Sequence, residues 1–89
     1  MPPEADPLAE LRRRFLARAA EDLEQLRAAG DLAEVRSLVH RLSGSAGVFG
    51  YAAASEAARV VDDALMAGEP PPAGAREALV SALEALPPA

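Results

Sequence analysis

The sequence predicts an all-α fold, an antiparallel four-helix bundle running up-down-up-down. Three observations carry that expectation. Hydrophobic residues make up 51% of the chain, nearly half of them alanine, and Phe15, Phe49 and Tyr51 are the only aromatics. Alanine is the best helix former and lets backbones approach closely, and there is no isoleucine or threonine to favour strands. Apolar residues recur at steps of three and four in four separate segments. The junctions between those segments carry glycine or proline, which punctuate helices. At 89 residues the chain suits one small domain.

Residues 1–5 read as a disordered lead and residues 6–87 as the single domain. Asp6 reads as an N-cap with Pro7 at the first helical position. Leu8, Leu11, Phe15, Ala19, Leu23 and Leu26 then form one apolar stripe, which Gly30 ends. Asp31 is placed to cap the second helix, with Glu34 completing a capping-box-like pair. The second helix carries the most regular stripe, Leu32, Val35, Val39, Leu42, Ala46 and Phe49, and Gly50 breaks or bends it. A third helix is expected from about Ala52 to Ala67, with Ala54, Ala58, Val61 and Leu65 facing inward. The run Gly68-Glu69-Pro70-Pro71-Pro72 reads as a loop stiffened by proline. A fourth helix, from about Ala73 to Leu86, buries Leu79, Leu83 and Leu86. Four such helices with short connections pack most simply as a bundle, the alternative being an open helical hairpin completed by a partner chain.

Composition excludes several functions. The formal charge is −5 and every basic side chain apart from the one histidine is arginine. A nucleic-acid binder normally shows a basic stripe, and none is present. No stretch approaches the ~18–20 apolar residues of a membrane span. The opening residues MPPEADP lack the features of a signal peptide, so a cytoplasmic location is expected. Without cysteine there is no thiol chemistry.

His40 is the only histidine. On a helical wheel it lies roughly 130° from the seam of the second helix, which predicts exposure. A surface histidine without a role remains open on that ground alone. Its neighbours are informative. Arg36 and Ser37 precede it by one turn, Ser43 and Gly44 follow it by one turn, and Gly47 lies a turn further. A glycine within a helix costs ~0.5–1 kcal/mol relative to alanine, and Gly44 points roughly 170° away from the seam. Packing inside the bundle does not explain it, whereas close approach of a large partner to the imidazole would.

The run His40-Arg41-Leu42-Ser43-Gly44-Ser45-Ala46-Gly47-Val48-Phe49-Gly50 resembles the motif of histidine-containing phosphotransfer (HPt) domains, H-x-L-K-G-S-x-x-x-[LF]-G. His40 falls at the phospho-accepting position, Leu42 at the buried leucine, and Gly44 and Ser45 at the small pair. Phe49 and Gly50 stand where the family closes the helix. The resemblance continues through Ala57, Ala58, Val61 and Asp62, which match small, small, apolar and acidic places, and it spans roughly Phe15 to Leu65. Two positions depart from the pattern. Ser43 replaces a lysine that the family uses to attract the phosphoryl group, and Ala54 replaces a leucine. Arg36 or Arg41 would then supply positive charge. Arg36 is the first choice, since Arg41 points roughly 100° further round the helix.

The resemblance implies a phosphorelay carrier in two-component signalling. His40 would accept a phosphoryl group and exchange it with an aspartate of a response-regulator receiver domain, upstream of which stands a histidine or hybrid kinase. Arg36, Arg41, Ser43, Gly44 and Gly47 form the candidate phosphoryl-stabilising or docking set. Neutral imidazole, with an ordinary pKa near ~6.5, is a good nucleophile, and the costly parts of phosphoryl transfer are positioning, a metal ion and charge stabilisation. No cofactor is expected here, the Mg²⁺ belonging to the partner receiver, and no autonomous catalysis. The closed bundle is expected to be monomeric. The second reading is a degenerate, unphosphorylated bundle that docks on a receiver or kinase. An independent hydrolase or transferase ranks third, because one histidine on four helices offers no convergent pocket.

Overall fold

The computed structural model describes residues 7–28 and 32–89, the side chains of Leu32 and Ala33 excepted. Four helices appear in the order α1 (Pro7–Ala28), α2 (Leu32–Val48), α3 (Ala52–Met66) and α4 (Ala75–Glu84), with no strand among the described residues. The expected all-α fold is thus observed. The 1–5 lead, the caps at Asp6 and Asp31, the stop at Gly30 and the seam position of Leu32 lie outside the described residues.

The helices close into a ring. α2 packs most extensively on α3, α3 on α4, and α1 against both α4 and α2. Side-chain pairings give the relative directions. Asp22 meets Arg41 and Phe15 meets Phe49, so α1 and α2 run antiparallel. His40 meets Asp62 and Ser43 meets Ser55, so α2 and α3 do too. The core between them holds Phe15, Leu16, Ala19, Leu26, Val35, Leu38, Val39, Leu42, Ala46, Ala54, Ala58, Val61, Ala75, Leu79 and Leu83. Full burial of a leucine or valine contributes ~1.5–3 kcal/mol, and Leu26, Leu42, Leu79 and Val39 are the largest apolar side chains buried in this way.

Three sequence expectations need correction. Leu8 and Leu11 are 47% and 49% exposed rather than buried. α2 ends opposite Phe15, whose ring lies 5.4 Å from that of Phe49, so the first turns of α1 reach past the end of α2. Further along α1, the buried stripe passes through Asp22, while Leu23 is only partly buried. α4 begins at Ala75 instead of about Ala73, because Gly74 adopts φ +80°, a left-handed conformation outside the helix, and serves as its N-cap. At the other end of α4, Leu86 packs against the core from just beyond the helix, partly buried.

Gly50 is the hinge on which the α2–α3 hairpin turns. Its φ of +83° lets the chain reverse directly after α2. The Tyr51 amide donates to the Ala46 carbonyl at 2.9 Å and the Gly50 amide to the Gly47 carbonyl at 3.1 Å, the Schellman arrangement that satisfies the last carbonyls of a helix. Tyr51 then stacks on Phe15, with centroids 5.8 Å apart. Gly44 is the opposite case: it is helical, and a Cβ there would meet nothing within 4 Å.

Two glycines should therefore respond to alanine with opposite signs. Gly50→Ala forces a side chain into the left-handed region and should destabilise by ~1–2 kcal/mol. Gly44→Ala should stabilise by ~0.5–1 kcal/mol through helix propensity. Each kcal/mol corresponds to roughly 4–8 °C in Tm for a domain of this size, so thermal melts followed by circular dichroism resolve both. An early-melting Gly44→Ala would show that this position serves packing after all.

Candidate functional site

The α2–α3 seam brings His40 to a buried partner on the next helix. α3 turns the line Ala54, Ala58 and Asp62 toward α2, and both alanines are fully buried. Small side chains on this line let the two backbones approach. Gly47 serves the same end: a Cβ there would stand only 3.2 Å from Ser55 Oγ. The Ser55 hydroxyl donates to the Ser43 carbonyl at 2.7 Å, tying α3 to the backbone of α2 one turn after His40.

His40 stands on the outward side of this seam, its side chain 69% exposed, as the periodicity predicts. Its Nδ1 lies 3.0 Å from Oδ2 of Asp62, whose side chain is only 7% exposed. An ionised carboxylate can only accept hydrogen bonds, so a neutral imidazole that makes this contact carries its proton on Nδ1 and keeps the lone pair on Nε2. A buried carboxylate of one helix thereby meets an exposed imidazole on the next, a contact that favours one ring orientation and one tautomer. Oδ1 of Asp62 has no hydrogen-bond partner among the described residues, so the imidazole is the group that meets this buried charge.

Arg36 and Arg41 are separated by the bundle. Arg36 lines the cleft around His40 together with Ser37, Asp62 and Met66. No hydrogen bond or ion pair engages it among the described residues. Every other arginine is engaged: Arg13 and Arg14 by Glu10, Arg18 and Arg41 by Asp22, Arg27 by Glu24 and Glu84, Arg59 by Glu56, Arg76 by the Leu26 carbonyl, and Arg12 by a further contact. Glu10 is held below the usual carboxylate range, chiefly by its hydrogen bond from Arg13. Arg41 opens on a different groove, between α1 and α2, with Arg14, Phe15, Arg18 and Leu42. Its Nη2 donates to Oδ1 of Asp22 at 2.6 Å.

The remaining candidates divide in the same way. The Ser43 hydroxyl donates to the His40 carbonyl at 2.8 Å, so it turns back along its own helix. Gly44 leaves open space one turn from the imidazole, and Gly47 faces Ser55. Beyond them Val48 is 73% exposed, which extends a small, apolar outward strip from His40 along α2.

An exposed histidine oriented by a neighbouring helix, on a rod cleared of bulk by glycine, fits what the motif implies. The family model of the Hpt domain matches residues 10–87, most of the chain. The chain belongs to the Hpt domain family. No curated protein and no solved structure matches it significantly. Hpt domains are phosphotransfer modules of two-component signalling. In this Hpt domain no described helix is long and apolar enough to cross a membrane.

Sequence reasoning placed Asp62 at an acidic position of the motif without giving it a role, and it passed over Asp22. A signal was present in both cases. Each aspartate occupies a stripe position of its helix, Asp22 between Ala19 and Leu26 and Asp62 four residues after Ala58. An acid at a core-facing position must find a partner, since burial of an unpaired charge is costly.

The tautomer supplies a direct check on this geometry. At a pH where the imidazole is neutral, ¹⁵N correlation spectra should show His40 protonated on Nδ1. In Asp62→Ala the population should shift toward the Nε2-protonated form that free imidazole favours in water. Equal tautomer populations in the two proteins would mean that the Asp62 contact does not orient the ring in solution.

Proposed function

We propose that this Hpt domain carries a phosphoryl group on Nε2 of His40 and exchanges it with an aspartate of a receiver domain. The observation that supports this reading is the Nδ1 contact to buried Asp62, which leaves Nε2 nucleophilic and exposed. In the forward step the Nε2 lone pair attacks phosphorus of the receiver's aspartyl phosphate. The N–P bond forms as the P–O bond to the aspartate breaks, and the bonding electrons leave on the receiver's carboxylate. The proton on Nδ1 stays in place. The ring becomes cationic, and the Asp62 carboxylate faces that new charge. Donation to a receiver reverses each change.

The chain contributes few other groups. Arg36 has a guanidinium free to meet the phosphoryl oxygens, so it takes the part of the lysine that Ser43 replaces. Arg41 is committed to Asp22 and is assigned to the scaffold. Gly44 gives the partner's acidic pocket room to close on Nε2, and the Mg²⁺ that assists transfer is assigned to that pocket. Upstream, a histidine or hybrid kinase supplies the phosphoryl group through its own receiver. The carrier acts as a monomer in the cytoplasm and has no catalytic activity of its own. Docking without exchange is the second reading, favoured by one observation: Ser43 leaves no cation directly after the histidine's turn.

Transfer of label from a panel of phosphorylated receiver domains separates the two readings. Wild type should take up acid-labile, alkali-stable label, and His40→Gln should take up none while still binding the receiver. Label that survives in His40→Gln would assign the site elsewhere. Arg36→Ala should slow transfer several-fold with little change in stability, since an exposed arginine seldom contributes more than ~1 kcal/mol. Unchanged kinetics would remove Arg36 from the site. Gly44→Leu should fold but transfer on the order of 10²-fold more slowly, since a displacement of ~1 Å from attack geometry is that costly. Wild-type rates in a folded Gly44→Leu protein would disprove the clearance role.

A further inference from the structure

The contact between Asp22 and Arg41 has no part in the phosphoryl chemistry, yet it occupies a demanding place. The Asp22 side chain is 2% exposed, and its Oδ2 has no hydrogen-bond partner among the described residues. Oδ1 accepts from Arg41 of α2 at 2.6 Å, with Arg18 of its own helix at 3.6 Å. Buried ion pairs are weak contributors to stability, and apolar side chains of similar volume often replace them without loss. Their best-attested use is to fix how elements sit against one another.

Arg41 directly follows His40 on α2, and the two side chains leave the helix about 100° apart. Each ends on a buried aspartate, but from opposite sides: Asp22 of α1 holds Arg41 and Asp62 of α3 holds His40. Apolar packing is non-directional, and the small residues of the α2–α3 seam give it little relief. Rotation of α2 in either sense would stretch one of these two bonds. For an atom ~6 Å from the axis, a turn of ~10° displaces it by roughly 1 Å, which is enough to disrupt a hydrogen bond.

We propose that Asp22 and Arg41 form a positioning pair for His40. By holding α2 in one rotational setting against α1, they keep Nδ1 aligned on Asp62 and Nε2 aimed outward. The pair acts through the helix and touches neither the imidazole nor the partner. Its consequence for transfer rests on the phosphocarrier reading above; its consequence for the imidazole does not.

The test uses the full chain labelled with ¹⁵N. Asp22→Leu/Arg41→Met replaces the pair with apolar side chains, and Asp22→Asn/Arg41→Met removes the contact while keeping the shape at position 22. Asp22→Asn alone leaves an oxygen for Arg41 and is the conservative variant. In the folded pair-breaking variants, His40 should move toward the Nε2-protonated tautomer, while Asp22→Asn stays near wild type. Transfer from a phosphorylated receiver should fall on the order of tenfold in the pair-breaking variants, with the receiver's Kd unchanged. A wild-type tautomer ratio in a folded pair-breaking variant overturns the proposal. So does failure of both double variants to fold, which would make the pair a stability element. If the wild-type protein takes label from no receiver, the phosphocarrier reading fails, and the tautomer ratios still decide the role of the pair.

Discussion

The close approach of α2 and α3 is the constraint on which the rest of the structure depends. It requires a reversal tight enough to bring the helices together within three residues, which Gly50 provides in its left-handed conformation. It also requires that little side-chain bulk stand between them, which Ala46, Ala54 and Ala58 provide at full burial. Once the backbones are this near, Ser55 can reach the Ser43 carbonyl and the short side chain of Asp62 can reach the ring of His40. A larger residue at any of these positions would hold the helices apart, and an aspartate could no longer span the gap. The alanine-rich composition, which at first signals only a helical fold, is thus also what allows the site to exist.

This architecture accepts a cost. A chain of 89 residues has a modest core, and it places two carboxylates within it. Each is met on one oxygen by a cation or imidazole of α2 and left unmet on the other among the described residues. Apolar residues at both places would serve stability as well or better. What they could not supply is direction. Hydrogen bonds weaken steeply as angle and distance depart from their optimum, whereas apolar contact tolerates a slide or a turn. On the positioning proposal, the two aspartates exchange some stability for a defined setting of the helix that bears His40.

The sequence made the fold and the exposed histidine legible for the same reason: the regular steps of α2 fix which side is inward, and His40 and Gly44 fall opposite. It overstated the stripe of α1, because periodicity continues through Leu8 and Leu11 while the helix beside them has already ended. It understated the polar core, because a reading that looks for apolar residues at stripe positions selects Leu23 where the structure buries Asp22. Arg36 and Arg41 stand five residues apart and look equivalent in the sequence apart from their angle. What separates them is a carboxylate on another helix, which only tertiary structure reveals. Gly47 shares the candidate phosphoryl-stabilising or docking set with Gly44 in the sequence, yet its missing Cβ makes room for Ser55. One glycine on this helix opens space to solvent and the other admits a neighbouring helix.

The sparse site then has a physical logic of its own. Phosphoryl transfer asks for positioning and for charge stabilisation where charge develops, and on the proposed reading the two demands would fall on different residues here. On that reading, positioning comes from two carboxylates inside the bundle, Asp22 and Asp62, which solvent scarcely reaches. Stabilisation of the phosphoryl oxygens would come from Arg36, which no partner among the described residues holds back. Asp62 joins the two. With a neutral ring its charge is met by a single hydrogen bond, and its second oxygen is unmet among the described residues. A phosphoryl group on Nε2 would make the ring cationic, and the same carboxylate would then face a full opposite charge at 3.0 Å. The buried acid is better compensated with the cargo aboard than without it. On the proposed reading that difference would favour loading, and the Asp62 contact itself would persist when the phosphoryl group leaves.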